Sequence, residues 1–98
     1  MRWHKDLVQN PISIALKIAG CACLDISMTG RGAPDELVIL VDRVRLFEYK
    51  SGTATTHKKK GQPFTPDQIA WQKRNPRLMI YYRVIETREQ AFKEMGLL

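Results

Sequence analysis

Two strand-like runs with almost nothing between them constrain this chain most. "LVILV", residues 37–41, is a continuous apolar stretch, and "VRLFEYK", residues 44–50, alternates along its length. Only Asp42 and Arg43 separate them. A parallel crossover needs a dozen residues or more, so these two runs predict an antiparallel hairpin. The uninterrupted apolar run predicts a central strand buried on both faces. A turn centred on Asp42 and Arg43 sets Leu37 opposite Glu48, and Asp35 opposite about Lys50. In the second run the period of two puts Arg45, Phe47 and Tyr49 on one face and Glu48 and Lys50 on the other.

The rest of the chain arranges itself around this hairpin. Ile12, Ala15, Leu16 and Ala19 repeat at helical spacing, with Ile14 and Ile18 widening the apolar face. Asn10 followed by Pro11 supplies an N-cap and a first-turn proline, and Gly20 a stop. "CACLDIS", residues 21–27, suits a short strand, and "MTGRGAPDE" after it is loop-like. Residues 51–63 are small, polar and basic without periodicity, and predict a mobile loop. Thr65-Pro66-Asp67-Gln68 opens a second helix with a capping box, and "NP" at 75–76 closes it. "RLMIYYRVI", residues 77–85, is rich in β-formers and predicts a strand. Thr87 and Gln90 repeat the capping box ahead of a last helix that ends at Gly96. The predicted order is α, β, β, β, α, β, α. A right-handed crossover from residue 44 to residue 85 lays the last strand parallel to the third. The result is a mixed sheet with helices on both faces, in an α/β fold.

Composition narrows the function classes. The chain has 98 residues, enough for one domain with a modest core. No apolar run approaches a membrane span, and the start lacks the apolar block of a secretory signal, so an intracellular, cytoplasmic protein is expected. The net charge of +6 favours a polyanionic partner without identifying one. Its one cluster is "HKKK" at 57–60, which taken alone reads more often as a solvated loop than as a binding segment. In one strand Cys21 and Cys23 would lie roughly 6.5–7 Å apart, at the limit of disulfide geometry. With His4 and His57 they make no zinc spacing, so small buried apolar residues are expected. Trp71 is expected to pack in the core.

Glu48 and Lys50 raise the chemical question. Two charges on a helix-covered face carry a desolvation cost. Either they pair with each other at the sheet end, or a cation and a phosphate complete the site. The hairpin brings Asp35 to the same end. Two carboxylates there repel unless a proton or a metal lies between them. Such oxygen donors suit Mg²⁺ or Mn²⁺ rather than zinc.

"GAPDELVIL…VRLFEYKSG…TPDQIAWQKR" resembles the VRR-NUC branch of the PD-(D/E)xK nucleases over roughly residues 6–95. The shared features, in order, are G-x-P-D at Gly32–Asp35, E-x-K at Glu48–Lys50, and a helical Gln68 with Trp71 three residues on. The resemblance implies a single restriction-endonuclease-like domain over residues 1–98, with an αβββαβ core and a C-terminal helix. It implies that Asp35, Glu48 and the backbone carbonyl of Tyr49 hold Mg²⁺, with Mn²⁺ able to substitute. Lys50 would orient or activate the attacking water, and Gln68 would face the same site from its helix. Members often add a glutamate from the first helix; this segment has none, and Asp6 is the nearest carboxylate. Arg31, Lys58, Lys59 and Lys60 become candidate contacts to a nucleic-acid backbone. The implied activity is metal-dependent hydrolysis of DNA phosphodiester bonds. Branched DNA such as four-way junctions is the expected substrate, acted on by a homodimer in phage-type replication, recombination or repair. If the chain is phage-encoded, its compartment would be the host cytoplasm. The competing class is a nucleic-acid-binding module that keeps the nuclease fold without the activity. A third class, binding an acidic protein through the basic surface, has no specific feature behind it.

Overall fold

A computed structural model describes residues 10–50 and 64–98. Helix α1 (Pro11–Ile18) leads into strand β1 (Ala22–Asp25), then β2 (Glu36–Leu40) and β3 (Arg43–Tyr49). Helix α2 (Pro66–Arg74), a 3-10 helix (Pro76–Tyr81), strand β4 (Tyr82–Ile85) and helix α3 (Arg88–Glu94) complete it. The strands form one mixed sheet in the order β1-β2-β3-β4, antiparallel except for the parallel β3–β4 pair. This is the predicted α/β sheet, with the crossover from β3 returning to β4 at its side.

Local chemistry explains the helix ends. Asn10 Oδ1 accepts the Ile12 N–H at 2.7 Å, and Pro11 occupies the first helical position, where its missing N–H costs nothing. Thr65 with Gln68, and Thr87 with Gln90, each form both halves of a capping box. Gly20 and Gly96 take positive φ just past their helices, as a C-terminal stop requires.

The two faces of the sheet carry separate cores. On one, Leu16 of α1 and Ala91 of α3 pack with Val38, Phe47 and Ile85. On the other, Trp71 of α2 packs with Ala33, Leu46 and Tyr82. Cys21 belongs to the first cluster and Cys23 packs against it; both thiols are free. Burial pushes both up, Cys23 to about 11, so neither is a ready nucleophile near neutral pH. Among the described residues no helix is long and apolar enough to cross a membrane.

Four expectations need correction. The hairpin turn is one residue earlier than expected, at Val41 and Asp42, so Leu37 faces Leu46 instead of Glu48. Val41 leaves the strand, is 91% exposed and takes φ 58°, the left-handed value that tight hairpin turns demand. A two-residue shift of register preserves the face of every side chain, so the alternation survives. Residues 76–81 are a 3-10 helix rather than the first part of a strand. Their β-formers serve packing instead, with Met79 and Tyr81 lying against the Trp71 cluster. "CACLDIS" pairs only over Ala22–Asp25, because Asp25 Oδ1 then folds back onto the N–H and hydroxyl of Ser27. Ile14 and Ile18 are exposed, at 41% and 82%, and the buried stripe of α1 runs through Ser13 and Leu16.

Candidate active site at the end of strand β3

Where β3 ends, the chain's polar residues converge. Pro34 is buried, and Asp35 enters β2 behind it. The Asp35 N–H donates to the Phe47 carbonyl at 3.0 Å. Its carboxylate then takes the role of a ladder acceptor, with Oδ2 receiving the Tyr49 N–H at 2.8 Å. Asp35 is thereby anchored to the segment that carries Glu48 and Lys50.

Glu48 and Lys50 share the face covered by α2, as alternation requires. Both side chains are almost fully enclosed, 6% and 8% exposed, with Lys50 Nζ 3.6 Å from Glu48 Oε2. Gln68 closes the triangle. Its Nε2 donates to Glu48 Oε2 at 2.8 Å, and its Oε1 accepts from Lys50 Nζ at 3.2 Å. The same Oε1 also accepts the Thr65 N–H at 2.9 Å, so one amide both caps α2 and ties it to the strand. Lys50 Nζ further lies 5.7 Å above the ring of Phe64, within cation–π range.

A close backbone approach brings α2 to this position. A Cβ on Gly32 would stand 2.0 Å from the Asp67 carbonyl oxygen, and Gly32 adopts φ 80°. Only glycine permits both the contact and the conformation. Beside it, Arg31 pairs with Asp67 Oδ2 through Nε at 3.1 Å and Nη2 at 3.0 Å. That pair is exposed, so it adds little stability. Behind the triangle lies Tyr82, its ring 6.2 Å from Trp71 and 6.1 Å from Phe64. Burial, with the charge of Glu48 adding to it, pushes the Tyr82 hydroxyl up to about 12.

The structure therefore gathers Asp35, Glu48, Tyr49, Lys50 and Gln68, with Arg31 one residue away from the Gly32 contact. Asp6, Lys58, Lys59 and Lys60 lie outside the described residues. The donor set fits a hard divalent cation in kind: two carboxylates and a backbone carbonyl, all oxygen. Among the described residues no group of three or more His, Cys, Asp or Glu side chains gathers as a metal cluster. A two-carboxylate set matches Mg²⁺ better than Ca²⁺ or Zn²⁺, because Mg²⁺ retains several waters.

Sequence reasoning missed a second buried carboxylate. Glu36, next to Asp35, points to the opposite face, where Ser13 and Tyr49 donate to it. The signal was present. Glu36 shares strand parity with buried Val38, and Ser13 sits inside the apolar stripe of α1. Comparison of the chain with family models, with curated proteins and with solved structures finds no match.

Proposed function

We propose that this protein is a metal-dependent nuclease that hydrolyses DNA phosphodiester bonds. The observation that carries the proposal is the convergence of Asp35, Glu48, Lys50 and Gln68 at one strand end, with Lys50 and Glu48 enclosed. Enclosure matters because charges act more strongly where water is excluded. Asp35, Glu48 and the Tyr49 carbonyl would hold Mg²⁺ or Mn²⁺. Bound there, the ion would polarise a phosphate oxygen and acidify a water. Lys50 supplies a fixed positive charge beside the water and against the charge that grows on the phosphorus oxygens. Gln68 orients Lys50 through Oε1 and holds Glu48 through Nε2. Arg31, exposed at the first turn of α2, is a contact for the DNA backbone.

The substrate we propose is branched DNA, such as a four-way junction, in phage-type replication, recombination or repair. Two copies acting as a homodimer would present two sites to two strands of such a junction.

A second reading has its own observation. Glu48, Lys50 and Gln68 bond to one another in a closed triangle, which is also how a purely structural buried ion pair is stabilised. On that reading the domain binds nucleic acid without cutting it. Labelled linear duplex, flap and four-way-junction DNA, incubated with Mg²⁺, Mn²⁺ or EDTA, separates the two. Metal-dependent cleavage that Asp35→Ala and Lys50→Ala both lose supports the nuclease. Binding without cleavage favours the module, and cleavage that survives both substitutions overturns the site.

A further inference from the structure

On the reverse face of the sheet, the same short segments build a second polar network. Glu36 is 7% exposed, yet each of its carboxylate oxygens receives a hydroxyl. Ser13 Oγ donates to Oε2 at 2.6 Å and Tyr49 OH donates to Oε1 at 2.6 Å. Those are the short distances of hydrogen bonds to a charged acceptor, about twice as strong as neutral ones. The Tyr49 ring also stands edge-on to Phe47, with centroids 6.0 Å apart and planes at 82°. Ring and hydroxyl are thus both fixed. The backbone N–H of the same tyrosine is the group that holds Asp35 Oδ2 at 2.8 Å.

We propose that Ser13, Glu36 and Tyr49 are positioning residues, a brace on the reverse face that fixes the Tyr49 amide against the Asp35 carboxylate. The assignment of Asp35 to a metal rests on the nuclease reading; the brace itself does not. Residues 35 and 36, and 48 to 50, alternate between the two faces, so any movement of the Tyr49 ring is passed to the backbone between Glu48 and Lys50. A buried carboxylate stripped of one donor relaxes toward another, and the tyrosine that carried the donor is the piece free to shift. Helix α1, which contributes no side chain to the triangle, acts on the site through Ser13.

Amide hydrogen exchange without metal tests the brace, with an internal control one residue away. The Lys50 N–H donates to the Ile85 carbonyl at 2.9 Å, so it reports on the β3–β4 ladder rather than on Asp35. In Tyr49→Phe and in Ser13→Ala the residue-49 amide should exchange faster relative to the Lys50 amide. The expected change is on the order of tenfold in Tyr49→Phe, the equivalent of one hydrogen bond, and less in Ser13→Ala. Glu36→Gln keeps an acceptor for Tyr49 and should fall between wild type and Tyr49→Phe. If the two amides speed up together, or neither changes, the brace is only a packing contact and the proposal is overturned. Ser13→Ala decides the matter should Tyr49→Phe fail to fold. Wild-type protein that neither cleaves DNA nor binds Mg²⁺, while the residue-49 amide still responds, would sink the nuclease reading and leave the brace standing.

Discussion

Glu36 and Glu48 are two buried glutamates on opposite faces of one sheet, and they are satisfied in different ways. Glu36, 7% exposed, takes a hydroxyl on each oxygen. Glu48, 4% exposed, faces an ammonium at 3.6 Å and an amide at 2.8 Å. Neutral donors fixed in the core give a carboxylate that serves geometry. A lysine partner gives one whose charge balance can be renegotiated when a cation or an anion arrives. Partners distinguish the two carboxylates where burial does not, since burial is almost the same for both.

The largest expected effect comes from breaking the charged side. Lys50→Ala leaves Glu48 buried without its cation, and stability should fall by about 3–5 kcal/mol in urea unfolding. Adding Glu48→Gln to Lys50→Ala should restore much of that loss. If the double variant is as unstable as the single one, the ion pair is not what makes Glu48 differ from Glu36.

Gly32→Ala comes next. Its Cβ would collide with the Asp67 carbonyl at 2.0 Å. Stability should drop by roughly 2–4 kcal/mol, as expected of a backbone clash combined with positive φ. Because α2 must move, the Gln68 contacts should loosen and the Glu36 network should not. Selective broadening of Gln68 and Glu48 side-chain resonances checks this, and equal broadening at Ser13 would contradict it.

The smallest effect is read from the two tyrosines. Burial raises both, and Tyr49, which donates directly to Glu36, is raised further than Tyr82 at about 12. In the unfolded chain both ionise near the ordinary value of about 10. Below that, both hydroxyls are neutral in either state and their contribution to stability is whole. As pH rises the unfolded chain loses these protons first, so the contribution of Tyr82 is lost progressively through about 12. Tyr82→Phe should flatten that part of the alkaline unfolding curve. Ultraviolet titration should show Tyr49 still protonated when Tyr82 ionises; the reverse order would mean that Glu36 does not hold its hydroxyl.

What could be read from the sequence was what short-range chemistry decides. Asn10-Pro11, Thr65 with Gln68, and Thr87 with Gln90 each specify a helix start within four residues, and the structure has all three. The faces of β3 were legible because parity does not depend on register. The register itself was not, since it hangs on whether Val41 ends a strand or begins a turn, and a valine at φ 58° runs against its own preference. The 3-10 helix at Pro76–Tyr81 was hidden for a related reason: its β-formers are used to fill the Trp71 cluster. Asp35 could be grouped with Glu48 and Lys50 because the hairpin brings them to one end, whereas the capping box placed Gln68 only at a helix start and the family resemblance alone turned it toward the site. Glu36 and Ser13 each carried a sign of burial, but no local pattern paired them, since their contact joins α1 to β2 across 23 residues.

Gln68 has a consequence beyond the site. Its Oε1 serves the first turn of α2 through Thr65 and the strand end through Lys50. A turn of the Gln68 amide away from the strand would therefore cost the helix start and the Glu48–Lys50 pair a hydrogen bond each. The Thr65 amide, far easier to observe than a lysine ammonium, shares its acceptor with Lys50.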